Sequence, residues 1–589
     1  MRGSTRRDAA IAGGLTLAVA LVAAPAAAQT PQPQQPAQLP STPEITPPTP
    51  STVPPPSVSV DARGAVVQST CPFEDSPIRL QLNAVKFARP DGSPLQPEIA
   101  QALAGLSVPT GDQPIRVVCA LRDQANEALQ RGGWVASVQI PAQSIETGEL
   151  TLQVVTARIT EIRVRGAPGP YRDLLDARLQ QLRGLDPLNQ RDAERLLLLA
   201  NDVPGLDVQL SLRPAGTQPG DVIGDLLITY RPFAVLFNAQ NYNSRALGRE
   251  TGYIRGELYG VTGLSDVLYV GGSTTADGRE QIIAQAGWRV GLDGAGTTLE
   301  PRIVYAWSRP DLGALKLETE TLITGFDLAR PLVRSLNTNL SAVLGFDYVD
   351  QTTVVSTNAA AKTPLNLDKL RILYFSLQGS TGRRNPDASY AYLVRGELEV
   401  RKGLDIFDAT PRGTTGTGAI PSRVDGNSRA TVVRADLSVE ANLNRIFSVT
   451  GRARGQWADD PLLNYEEFSL GNLTVGRGYD PGSNSGDKAV GVTAELGVRL
   501  PLKTPDVGVQ AFGFYDSVWL TNLDRNATEV DRNLRSYGGG VRVTVLRPVQ
   551  LYLEATYAHP LDRALSIDKA RPTDRFLLSL TAKFDARAR

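Results

Sequence analysis

The chain has 589 residues and balances 61 basic against 61 acidic side chains, so no net field draws it to nucleic acid or anionic lipid. One His, one Met and two Cys stand beside 54 Gly, which leaves little material for a metal centre or a His-driven enzyme. Catalytic residues, metal ligands and cofactor sites are accordingly expected to be none, and nucleic acid is not an expected partner.

Arg2, Arg6 and Arg7 precede the apolar run Ile11 to Val22 and the small residues Ala26, Ala27 and Ala28, the order of a secretory signal over residues 1–28. A short membrane anchor is the alternative, but the apolar core falls short of the roughly 20 residues a spanning helix needs. No later segment approaches that length without charge, so the expected destinations are periplasm, exterior or an outer-membrane barrel. Residues 29–70 form a linker whose first part, Gln29 to Pro56, is Pro, Gln, Thr and Ser and ends in Pro54, Pro55 and Pro56. It is predicted to be extended and polyproline-like.

Residues 71–157 read as strand over Arg79 to Phe87, helices over Leu95 to Leu106 and Val117 to Gln130, and strands over Trp134 to Ile140 and Leu150 to Val155. Residues 158–231 repeat that order, with a strand at Ile159 to Val164, helices at Tyr171 to Leu182 and Asn189 to Asn201, and strands at Leu206 to Leu212 and Asp225 to Tyr230. Two successive small α+β domains are predicted, with one larger α+β domain as the competing reading.

From Pro232 onward the helical period gives way to alternation. Val433, Ala435, Leu437, Val439, Ala441 and Leu443 share one parity, while Arg434, Asp436, Ser438, Glu440 and Asn442 share the other. Leu398 and Val400 alternate with Glu397, Glu399 and Arg401; Val492 and Leu496 with Thr493 and Glu495; Leu551 and Leu553 with Gln550 and Glu554. A soluble sandwich does not need so much charge on one parity over a bilayer-length strand. The fold class predicted for residues 232–589 is therefore an all-β transmembrane barrel of about 16 antiparallel strands.

Gly476-Arg477-Gly478-Tyr479 and Gly482 make a glycine-rich loop that carries a planar five-donor fork. Farther on, Phe512-Gly513-Phe514-Tyr515-Asp516 lies in an alternating strand that puts Phe512, Phe514 and Asp516 on the inward face. The loop resembles the Arg-Gly-Tyr loop of the BamA-like barrel transporters. That resemblance implies that Arg477, Gly478 and Tyr479 fold back into the barrel and that Arg477 meets Asp516 and Phe512 on its wall. The alternative is a solvated hairpin above a polar pore.

Gln130-Arg131-Gly132-Gly133-Trp134 and Ile140-Pro141-Ala142-Gln143 followed by Gly148-Glu149-Leu150 resemble the first POTRA domain of two-partner secretion transporters, the hemolysin secretion/activation family. Val203-Pro204-Gly205 and Arg213-Pro214 resemble the second POTRA domain, and Asn241-Tyr242-Asn243-Ser244 with Gly248 and Gly252 the opening barrel hairpin. The resemblance implies an outer-membrane translocator with periplasmic POTRA domains. Its partner would be a large secreted exoprotein (adhesin, hemolysin or toxin), captured unfolded and exported through the barrel. Outer-membrane lipid and, during biogenesis, the barrel-assembly machinery are the other expected partners. An outer-membrane assembly factor of the same superfamily and a passive porin are the alternatives. Family members often carry an N-terminal plug helix, but the Pro-rich stretch is a poor helix former and no plug is predicted.

The oxidising periplasm permits a disulfide between Cys71 and Cys119; two unpaired thiols too far apart to bridge are the alternative. His559 precedes Pro560 at a strand end, which suits a turn or interface rather than catalysis. Gly291 to Gly296 lacks the Lys-Ser/Thr of a phosphate loop and is predicted to be a turn.

Overall fold

The computed structural model describes residues 40–46, 60–61, 70–312, 315–358, 361–385, 390–412, 420–504, 506–525, 529, 531–547 and 549–586. The predicted signal segment and most of the Pro-rich linker lie outside these residues.

The first α+β domain packs helices Pro97–Leu103 and Val117–Gly132 on a three-stranded sheet ordered Ala84–Ala88, Glu149–Thr156, Ala136–Gln139. In the longer helix Val118, Leu121, Ala125 and Leu129 recur at three and four residues and are all buried, so one stripe faces the sheet. The helix stops at Gly133, whose φ of +83° is a left-handed cap that glycine adopts without strain. Cys119 on this helix is bonded to Cys71, with Cα atoms 5.8 Å apart.

The strand predicted over Arg79 to Phe87 is instead two strands. Arg79–Leu82 pairs antiparallel with Gly111–Pro114, and Ala84–Ala88 pairs parallel with Glu149–Thr156. The switch falls at Asn83, whose N–H and that of Ala84 both reach the Gly148 carbonyl while its side chain donates to Thr147. Alternation runs through such a change of partner undisturbed, which is why sequence does not reveal it.

The second domain repeats the plan, with helices Arg172–Arg183 and Gln190–Asn201 on a sheet ordered Leu206–Pro214, Asp221–Tyr230, Arg158–Arg165. The two-residue strand Val60–Asp61 adds to the open edge, in parallel register with Leu210 and Ser211. The two domains share main-chain bonds: Val135 donates to Leu188, Gln190 donates to Gly133, and the Asn189 side chain donates to Gly132. The second domain meets the barrel through the Arg334–Asp202 ion pair at 2.6 Å and through Tyr230, whose hydroxyl donates to the Tyr259 carbonyl at 2.7 Å.

The rest is a closed antiparallel barrel of 16 strands, from Phe233–Gln240 to Arg575–Asp585, which pair with each other and leave no edge. The alternation found in the sequence sorts as predicted. Leu398, Leu437, Val490 and Leu496 face outward, while Arg401, Thr493, Glu495 and Asp516 are buried on the inner side. Aromatic side chains cluster outward near both ends, Phe233 against Phe584 at the end beside the α+β domains and Tyr557 against Phe576 at the far end. This is the girdle of a membrane-embedded barrel. No helix among the described residues is long and apolar enough to cross a membrane. Strands Leu315–Arg334, Thr338–Asn358 and Ala361–Arg384 run 20 to 24 residues and extend beyond their neighbours at the far end.

One piece of the Pro-rich linker corrects the sequence reading. Thr42–Ile45 forms a single helical turn with Pro43 in its first positions, where a missing N–H costs nothing. The turn is seated in the far half of the barrel rather than extended in solvent: Ile45 is packed with Ile283, Val349, Leu463 and Tyr465. Tertiary burial supplies what the weak local helix propensity does not.

Candidate functional site

The connection between strands Phe447–Ala458 and Lys488–Leu500, residues 459–487, folds back into the lumen. Two glycines make that path sterically open. Gly476 has a φ of +104°, and a Cβ on Gly478 would lie 2.8 Å from the Ser536 Cβ and 2.9 Å from the Pro560 nitrogen.

Arg477 points at the wall. Its backbone N–H donates to Asp516 Oδ2 at 2.9 Å, its Nε to the same oxygen at 3.3 Å and its Nη2 to Oδ1 at 3.2 Å. Its Nη1 lies 3.3 Å from Glu495, and the guanidinium carbon sits 3.5 Å from the Phe514 ring centroid. Asp516 is fully buried and also accepts from the Thr493 hydroxyl at 2.8 Å. The Gly478 N–H donates to Ser536 Oγ, and the Tyr479 hydroxyl lies 2.8 Å from the Arg535 carbonyl while accepting from the Asp562 N–H. A forked, charge-assisted contact over an aromatic face is geometrically specific. Removing one member strands the other's charge at a cost of about 3 to 5 kcal/mol.

Phe512 shares the inward face, but the ring stacked under Arg477 is that of Phe514. Phe512 lies under Arg542, 3.8 Å from the guanidinium carbon, and Arg542 pairs with both Glu495 and Glu554. Parity places Glu495 and Glu554 inward but does not single out Arg542, because it names a face without naming the partner across it. Glu495 thus bridges two arginines, which joins the Arg477 contact to the neighbouring wall.

Below the loop lies a cavity of about 1020 Å³ lined by both signs of charge, including Arg395, Glu397, Asp436 and Arg454, with Arg477 bordering it. The linker turn occupies the other side of the loop. Glu44 accepts from Ser41, through its N–H at 3.0 Å and its hydroxyl at 2.7 Å, and from the Ser244 N–H at 3.3 Å. Burial pushes the Glu44 carboxyl above its usual range against those hydrogen bonds. Gln281 donates to the Glu44 carbonyl, and the Thr42 hydroxyl to the Tyr465 carbonyl.

Elsewhere, His559 Nδ1 lies 2.7 Å from Asp574 beside the Tyr537 ring, and residues 292–297 form a turn closed by Asp293, which accepts from the Ala295 and Thr297 N–H groups.

Residues 228–543 match the model of the haemolysin secretion/activation protein family ShlB/FhaC/HecB, more than half of the chain. The chain belongs to that family. Among its relatives, the heme/hemopexin transporter protein HuxB of Haemophilus influenzae (strain 86-028NP) is 23% identical over 468 residues, 76% of this chain and 78% of that protein. The outer membrane transporter CdiB-2 of Burkholderia pseudomallei (strain 1026b) is 24% identical, over 60% of this chain and 59% of that protein. In fold, CdiB from Escherichia coli matches with a TM-score of 0.68 at 17% identity, covering 88% of this chain and 94% of that one. CdiB from Acinetobacter baumannii matches with a TM-score of 0.59 at 15% identity, covering 88% and 91%. As a member of the haemolysin secretion/activation family this chain is a two-partner secretion transporter of the outer membrane, with its α+β POTRA domains in the periplasm and a secreted protein as its partner. Members of the family are transporters rather than enzymes.

Proposed function

We propose that the contact of Arg477 with Asp516 is the lock that keeps the loop folded in the lumen, and that export needs it to open and re-form, so that a barrel unable to seat the loop again exports poorly. In this reading Gly478 and Tyr479 seat the loop tip, and Phe512 acts at one remove by bracing Arg542. The supporting observation is the forked guanidinium over a fully buried carboxylate, facing a charged cavity. A charged, wetted lumen holds few apolar patches on which an unfolded chain would stall. The client is a large exoprotein, of adhesin, hemolysin or toxin type, that first adds as an extended strand to the POTRA sheets through main-chain hydrogen bonds. Its folding outside supplies the direction of travel. Outer-membrane lipid surrounds the barrel, and the barrel-assembly machinery inserts it. The disulfide between Cys71 and Cys119 stiffens the first POTRA domain for that encounter.

Arg477→Ala tests the lock. It is expected to cut secretion of the partner by at least about tenfold, the effect of ~1.4 kcal/mol, while the barrel remains heat-modifiable in the outer membrane. Undiminished secretion with the barrel in place rejects the role.

A further inference from the structure

The loop has a second charged residue turned into the wall, and neither the family match nor the Arg-Gly-Tyr motif assigns it. Glu466 ends a one-turn helix, Asn464–Glu466, at the loop's root. Its carboxylate receives the full fork of Arg401, Nε to Oε2 at 3.0 Å and Nη2 to Oε1 at 3.1 Å, and Arg434 Nη2 at 3.3 Å. Its carbonyl accepts from Gln456 at 2.9 Å and from Arg434 at 3.1 Å. Glu466 and Arg401 are both more than nine-tenths buried. We propose that Glu466 is a second, independent lock that holds the root of the lumen loop through Arg401 and Arg434.

Two features separate this contact from ordinary core filling. The first is that the wall keeps partners of its own. Arg401 also lies 3.2 Å from Asp347 and 3.3 Å from Glu399, so withdrawing Glu466 does not leave the guanidinium alone in a buried site. The tip shares this only in part: when Arg477 withdraws, Glu495 keeps Arg542, whereas Asp516 is left with the hydroxyls of Thr493 and Ser536 and no charge opposite it. A buried ion pair whose wall member stays neutralised avoids most of the penalty of breaking, and can therefore open and close. The second feature is position. The residues beside Glu466 seat the linker turn, since the Tyr465 carbonyl accepts from Thr42 and Ile45 packs on Leu463 and Tyr465. Release of the root thus loosens the linker turn together with the loop, whereas release of the tip frees Arg477 from the wall without touching the residues that seat the turn.

The inference extends the reading of Arg477 as a lock and is tested so that the two can fail separately. Glu466 is a positioning residue, and the probe is ion conductance of the purified full-length protein in planar lipid bilayers, which needs no client. Glu466→Gln removes the charge and is expected to raise the open probability roughly tenfold, a change of ~1.4 kcal/mol. The combination of Glu466→Gln with Arg477→Ala should exceed either alone, and Glu466→Asp, which keeps the charge, should restore part of the closure. A heat-modifiable band verifies the folded barrel; if Glu466→Gln does not fold, Arg434→Gln, at a partly exposed guanidinium, reads the same contact. Wild-type opening in a folded Glu466→Gln or Arg434→Gln barrel overturns the proposal. So does a double variant no more open than Arg477→Ala. Wild-type conductance in Arg477→Ala with raised conductance in Glu466→Gln would reject the tip lock and leave the root lock standing.

Discussion

The two halves of the lumen are built differently. The half toward the periplasm holds an open, charged cavity bordered by Arg477, whereas the outer half is filled by residues 459–487, the Thr42–Ile45 turn and the loops that meet them. At the outer face Arg423 alone gathers Glu467 at 2.7 Å, Asp487 at 2.5 Å and Asp524. The wall is one continuous ladder in both halves, so the difference lies in what the connections carry. The periplasmic turns are short, and the 29 residues from Asp459 to Asp487 supply the filling. Closure is thus a property of loops laid over a barrel that is complete without them.

That contrast can be broken from the periplasmic side with the largest effect. Deleting residues 71–231 removes both POTRA domains and their docking to the barrel turns through Arg334 and Tyr259. Secretion of the partner should fall below detection while a heat-modifiable barrel persists, because barrel closure runs through Phe233–Gln240 and Arg575–Asp585 alone. Retained secretion would show that the barrel needs no docking platform. On the outer side, Ile45→Asp puts a carboxylate in an apolar nest formed with Ile283, Val349 and Leu463. It forfeits about 2 kcal/mol of burial and adds a desolvation cost, so the linker turn should leave its seat. The expected reading is a several-fold rise in bilayer conductance with normal outer-membrane levels; unchanged conductance would make the turn a passenger.

The smallest effect sharpens the comparison through pH. Burial pushes Glu467 up to about 7 against the pull of Arg423, with Asp487 and Asp524 adding to the rise. In the closed loop Glu467 therefore holds a proton that the opened loop, with an ordinary carboxylate, releases between the normal range and about 7. The closed form is favoured fully below the ordinary carboxylate pKa and loses that advantage as pH rises toward 7, by at most about 1.4 kcal/mol per unit. Protection of residues 459–487, taken as amide exchange relative to the free-amide rate at each pH, should accordingly rise on moving from pH 7 to 5. Lower protection at pH 5, or Glu467→Gln leaving the slope intact, would assign the effect to another group.

Much of this was legible beforehand because lipid and water impose opposite demands on alternate residues of each strand. Leu437 and Arg434, or Leu496 and Glu495, announce their faces by chemistry alone. The lumen loop was legible for a different reason: Gly476 and Gly478 are needed by the backbone at fixed offsets from Arg477. What escaped depends on partners distant in sequence. Glu466 looks like any loop carboxylate until Arg401 and Arg434 close on it, and Arg542 is one of many inward arginines until Phe512 and Glu495 select it. Thr42–Ile45 has poor local propensity and is held by Tyr465 and Ser244, hundreds of residues away. The break at Asn83 is invisible because the strand period survives a change of sheet.

The junction of the POTRA domains carries a mechanical consequence. Main-chain bonds from Val135 to Leu188 and from Gln190 to Gly133 splice the two domains, and Gly133 is tight against Asn189, where an added Cβ would meet Oδ1 at 2.8 Å. Such a splice resists bending, so the pair behaves as one stiff lever. Load on the distal domain thus has a main-chain route to the second domain and, through Arg334 and Tyr259, to the barrel rim.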